Sequence, residues 1–136
     1  MERRNVSSGS PFEPQIGFSR AVRLGNLIAV SGTAPIGANG KTAHVGDLYR
    51  QTRRCLEIIV EAVIQAGGLK EDIIRTRVFL TDISRWQDAA QAHGELFSEV
   101  RPACTFLQVS RFIDPDWLVE IEADCALDSC IREGLI

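Results

Sequence analysis

The chain has 136 residues, 45% hydrophobic and 24% charged, which is room for one globular domain with a core and too little for two. A formal net charge of −3 and a pI near 5.4 count against a protein that grips phosphate backbones, where a basic face is expected. No apolar run reaches the ~18 residues of a membrane span, and the polar stretch from Met1 to Ser10 lacks the apolar core of a secretory leader, so a cytoplasmic protein is expected.

Residues 1–14, rich in Ser and Pro, read as an N-terminal arm or the start of an edge segment. From Ile16 to Leu24 partial alternation suits a strand, with Phe18, Arg20 and Val22 sharing one parity. Gly25-Asn26 is a turn signal, and Leu27 to Val30 is a second short strand, so the pair predicts a hairpin closed by Ser31-Gly32. Asp47 is a candidate N-cap for a long helix. Leu48, Thr52, Cys55, Leu56, Ile59 and Val63 form its apolar stripe, and Gly67-Gly68 stops it. At about 20 residues and ~1.5 Å per residue it would cover most of one face of a small sheet.

Asp72 to Thr81 predicts a third strand, Trp86 to Phe97 a second helix, and Thr105 to Ser110 a fourth strand. Leu118 to Ala126 predicts the last. It alternates Val119, Ile121 and Ala123 against Glu120, Glu122 and Asp124. Residues 15–127 make the domain, and the tail 128–136 carries no pattern. The order β-β-α-β-α-β-β places two helices on one face of a mixed sheet, an α+β layer fold. The opposite face has no helix to cover it, so it is either polar or packed on other subunits.

Four cysteines, Cys55, Cys104, Cys125 and Cys130, contain no C-x-x-C pair and have only two histidines beside them. Neither a zinc site nor a disulfide framework is expected, and the thiols read as reduced. The Arg50/Arg53/Arg54 and Arg75/Arg77 clusters read as solvated faces.

Five stretches in order resemble the RidA/YjgF family of endoribonuclease L-PSP-like proteins. Gly17 to Val22 is similar to its G-Y-S-x-A-V, Gly25 to Gly32 to its G-N-x-[VIL]-x-x-S-G, and Asp72 to Asp82 to its D-V-V-K-T-x-V-F-L-x-D. Arg101-Pro102-Ala103 resembles its x-P-A, and Leu118 to Ala123 its L-V-E-I-E-A. The resemblance implies a chorismate-mutase-like fold, a homotrimer, and small-molecule clefts between neighbouring subunits. No cofactor, metal or membrane is expected, and the acidic pI and the lack of interleaved basic and aromatic residues count against the nucleic-acid role that an endoribonuclease label on some members suggests. Typical members hydrolyse enamine and imine intermediates to 2-keto acids and ammonia. That chemistry needs an arginine fork for the substrate carboxylate and a glutamate that positions water or moves protons.

Residue by residue, the resemblance assigns the catalytic role to Glu120 and substrate contacts to Phe18, Gly32, Cys104, Thr105 and Trp86. The family's arginine position is Cys104 here, its tyrosine is Phe18, its second-helix asparagine is Ala90 and its serine is Thr105. A branch of the family lacking the arginine has a similar R-P-A-x-T and a similar helix from Ser84 to Glu95. The pocket is expected to be more apolar, lined by Phe18, Cys104, Phe106 and Trp86. A deaminase-like hydrolase is one reading, and a non-catalytic metabolite binder using the same cleft is the other. Each candidate also has a plain structural reading. Glu120 suits a solvent-facing strand, Cys104 a small buried hydrophobe, His93 a packed histidine, and Arg20 and Arg101 surface charges.

Overall fold

Leu24 and Leu27 flank Gly25-Asn26, and the computed structural model has a two-residue hairpin turn there, with Leu24 paired to Leu27 and Gly25 at φ 61. The structure describes residues 2–128; Cys130 and, apart from Asp128, the tail 128–136 lie outside them. The elements are β1 (Arg3–Val6), α1 (Phe12–Ile16), β2 (Ala21–Leu24), β3 (Leu27–Thr33), α2 (Leu48–Gln65), β4 (Ile73–Leu80), α3 (Trp86–Phe97), β5 (Ala103–Gln108) and β6 (Val119–Ala126).

The order read from the sequence is preceded by two elements, β1 and α1. The first predicted strand is also shorter than expected, starting at Ala21 instead of Ile16. Pro11 and Pro14 are tolerated at a helix start, and Gly17 takes φ 88 as the left-handed cap that ends α1. Residues 12–16 are therefore helical, and the chain becomes a strand only after Arg20. Asp47 caps α2, its side chain accepting from Arg50 N at 3.0 Å.

Six strands form one sheet in the order β1-β2-β3-β6-β4-β5. All pairs are antiparallel except β4–β5, which is parallel and crossed over by α3. Val119, Ile121, Ala123 and Cys125 of β6 face the helices and pack into one core with Ile28, Val30, Leu56, Ile59, Val63, Val78 and Leu80. The buried Gln51 of α2 fixes the loops to the sheet. Its Nε2 donates to Ala43 O and Asp116 O, and its Oε1 accepts from Leu118 N at 2.9 Å. That last bond anchors the residue two places before Glu120.

The second face of the sheet is both charged and apolar. Arg77 pairs with Glu122 at 3.1 Å and Asp124 at 3.4 Å, and Arg75 reaches Asp124. Leu24, Leu27 and Leu107 on the same face are exposed. No helix among the described residues is long and apolar enough to cross a membrane.

Candidate functional site

The site begins with a break in the β3–β6 ladder. Val30 pairs with Ala123 and Thr33 with Ile121, so Ser31 and Gly32 together oppose Glu122. That is a β-bulge, two residues against one. Thr33 returns to the core, fully buried, while Gly32 is placed against Glu120. A Cβ added at Gly32 would lie 3.3 Å from Glu120 Oε1, tighter than an ordinary contact, so glycine keeps the backbone close to the carboxylate. Ser31 Oγ donates to Ser19 O at 2.6 Å and fixes the segment before β2.

Arg20 meets the bulge from the other side. Its Nη2 donates to Gly32 O at 2.5 Å, and its guanidinium carbon sits 5.7 Å from the centre of the Phe18 ring. Its Nε is buried and donates to no acceptor among the described residues. Burial is the main influence on this guanidinium and lowers its pKa, against the attraction of Glu13 and Glu120. Burial likewise raises the Glu120 carboxyl, offset in part by Arg20 and reinforced by Glu122. Burial also presses the Glu13 carboxyl upward, but Ser8, Ser7 and Ser10 outweigh it with hydrogen bonds and hold it below the usual range. Ser8 Oγ donates to Glu13 Oε2 at 2.5 Å.

Phe18, Gly32 and Glu120 are thus gathered around one position, with Arg20 among them. Cys104, Thr105 and Trp86 are not. Cys104 pairs with Thr76 and Thr105 with Arg77, so they point to opposite faces of the edge strand β5, both exposed. Cys104 is on the helix side of the sheet and Glu120 on the other, two strands away, so one chain cannot bring them into a single cleft. Phe106 faces the helix side with Cys104, away from Phe18. Trp86 opens α3 and is 49% exposed.

The remaining candidates fall into structural places. His93 is buried on α3, its Nε2 hydrogen-bonded to Thr76 Oγ1 at 2.8 Å and its ring 4.7 Å from that of Phe97. Burial lowers its pKa, favouring the neutral imidazole. Arg101 is exposed at φ 54, and Ala90 is partly buried on α3. Cys55 and Cys125 are buried thiols. Burial pushes Cys55 well above its ordinary value and Cys125 up to about 12, so both are inert.

A recess of about 420 Å³ lies beside the bulge on the charged face, its lining including Phe18, Ser19, Ser31, Arg3, Glu122 and Asp124. Arg20 was the least visible part of the site from the sequence, where it read as a surface charge. The available signal was its shared parity with Phe18 on the side of the sheet that no helix covers.

Residues 9–127 match the family model described as Endoribonuclease L-PSP. The chain is 36% identical over 116 residues to a 3-aminoacrylate deaminase, RutC, of Acinetobacter baylyi, covering 85% of this chain and 90% of that protein. An uncharacterised protein of Streptomyces coelicolor is 40% identical over 129 residues, covering 93% of this chain and 96% of that one. Among solved structures, Rv2704 of Mycobacterium tuberculosis, a member of the YjgF/YER057c/UK114 family, is 43% identical with a TM-score of 0.85, covering 93% of this chain and all of that one.

Proposed function

The chain belongs to the endoribonuclease L-PSP (RidA/YjgF) family, and on that premise we propose that it is a homotrimer which hydrolyses a small enamine or imine in clefts shared by neighbouring copies, with Glu120 as the acid–base group. One observation carries this reading: Glu120 and Cys104 lie on opposite faces of the sheet within one chain. The edge strand β5 is largely exposed on both faces, and Leu24, Leu27 and Leu107 leave apolar surface on the side without helices. A second copy that covered this surface would approach Glu120 from the face that Thr105 shares, and would reach Cys104 only around the open edge of β5.

Hydrolysis of an enamine first moves a proton to the terminal carbon and gives an iminium. A water then adds to the C=N carbon and loses a proton, and the hydroxyl proton of the resulting carbinolamine passes to nitrogen as ammonia leaves and the carbonyl forms. One residue serves both steps if both of its protonation states are accessible. Burial raises the Glu120 carboxyl toward that condition. In its protonated form it delivers the first proton, and as carboxylate it takes the second from water. Gly32 lets the backbone pass close to the reacting atoms, and Phe18 supplies an apolar wall.

The test uses freshly generated 2-aminoacrylate and 3-aminoacrylate, with release of ammonia and carbonyl product followed against buffer alone. Faster release by the wild-type protein, lost in Glu120→Gln, supports the hydrolase. Rates equal to buffer sink it. Small acids that still raise the melting temperature would then favour the binding protein, a reading supported by Cys104 at the family's arginine position. Equilibrium sedimentation checks the assembly, with three times the 15.0 kDa chain mass expected.

A further inference from the structure

We propose that Arg20 is the carboxylate-binding residue of this site and that the ligand is a small monocarboxylic acid spanning Arg20 and Glu120 across Gly32. The proposal rests on the functional reading above for the location of the site, but not on turnover.

The argument starts from hydrogen-bond accounting. A guanidinium has five N–H donors. Among the described residues Arg20 makes a single hydrogen bond, Nη2 to Gly32 O, and its Nε is buried without an acceptor. A buried donor left unpaired is costly, and stability alone gives no reason to keep one. Ion pairs among the described residues run through Arg50, Arg54, Arg75 and Arg77, and Arg20 takes part in none of them. Glu13 and Glu120 both attract it from a distance without contact. Arg20 is therefore a half-buried cation whose remaining donors have no protein partner among the described residues.

It is also held in place. The Gly32 carbonyl fixes one end of the fork and the Phe18 ring lies beside the guanidinium plane. A guanidinium fixed in this way loses little freedom when it binds an anion, and its fork matches a carboxylate.

The two groups of the site meet at one residue. The carbonyl of Gly32 takes Arg20, and its Cα side faces Glu120 Oε1. A carboxylate seated on Arg20 would place the next carbons beside Glu120. That limits the ligand to a short acid, and it puts the reacting carbon, not the carboxylate, against the glutamate. A long or doubly charged ligand would meet Glu120 with its second charge.

The test is calorimetric binding of pyruvate against its neutral amide, pyruvamide, to the wild-type protein and to Arg20→Gln and Arg20→Lys. The wild type is expected to prefer the acid by about 10- to 100-fold, the range for a charge-assisted hydrogen bond. Arg20→Gln should abolish that preference. Arg20→Lys keeps the charge but loses the fork, and should weaken acid binding several-fold. A wild type with no preference for the acid overturns the proposal without any variant being needed. Folded variants that keep the wild-type preference overturn it too. Absence of aminoacrylate turnover with an Arg20-dependent acid preference would remove the hydrolase and leave this proposal standing. Fast turnover untouched by Arg20→Gln would do the reverse.

Discussion

Alternate residues of β6 lie in different surroundings although they share one backbone. Val119, Ile121, Ala123 and Cys125 are buried against α2 and its neighbours. Glu120, Glu122 and Asp124 point the other way, into a half-exposed field of charges. On the first side the chemistry is interchangeable and the volume is fixed. On the second side volume is loose and the identity of each group decides what happens. A strand two residues in period can serve both ends because neither face constrains the other.

The largest effect is expected on the buried side. Ile121→Ala should lower the unfolding free energy by about 2–5 kcal/mol in urea titration. A loss below ~1 kcal/mol would mean that the helix-covered face is not the closely packed one. Next is Glu120→Gln on the other side, which should cut enamine hydrolysis by at least ~100-fold with the unfolding midpoint nearly unmoved. Loss of fold and activity together would break the division between the faces. Third is Thr76→Val, which should cost about 1–3 kcal/mol by leaving the buried His93 nitrogen without its partner.

His93 also predicts a pH effect of definite sign. Burial lowers its pKa from 6.5, so the neutral imidazole is favoured in the fold. Its stabilising contribution is complete above pH 6.5 and is lost as the pH falls through the depressed value. Melting curves taken downward from pH 7 should show this loss, and His93→Gln should flatten it. Smaller still is Arg77→Ala, which breaks two half-exposed ion pairs and should cost no more than ~1 kcal/mol.

The smallest is a second readout of Glu120→Gln. The Glu120 pKa is raised by burial, so the native state favours the protonated carboxyl. Relative to the wild type, the variant should gain up to about 2 °C in melting temperature at neutral pH, the gain fading as the pH drops toward the ordinary carboxylate range. A variant less stable than the wild type at neutral pH, with the deficit fading in acid, would show that Glu120 is held by a charge partner instead.

The fold was legible because its signals are local and periodic. Asp47, Trp86 and the alternation after Leu118 each marked an element within a residue or two of where it lies. The first predicted strand was misjudged because two prolines and a left-handed Gly17 favour a helical turn over a segment whose alternation was weak. The site was harder to read. The bulge at Gly32 is a matter of register between β3 and β6, and no feature of either strand alone announces it. Arg20 looked like any surface cation, since the absence of an acceptor for its Nε among the described residues depends on what β3 and β6 bring near it. The resemblance assigned Cys104 and Glu120 to one cleft, yet sheet parity puts them on opposite faces, a relation that only the pairing of β4 with both neighbours reveals.

The bare edge of β5 has a consequence for how the protein behaves in dilute solution. Its outer row of N–H and C=O groups forms no ladder among the described residues, and an open strand of this kind is a template for pairing with other chains. If subunit contacts cover it, the melting temperature becomes a function of protein concentration, since association draws the folding equilibrium by mass action. Dilution would then uncover the strand and dismantle the clefts at the same time. The amount of protein present would set how many sites exist as well as how fast they are filled.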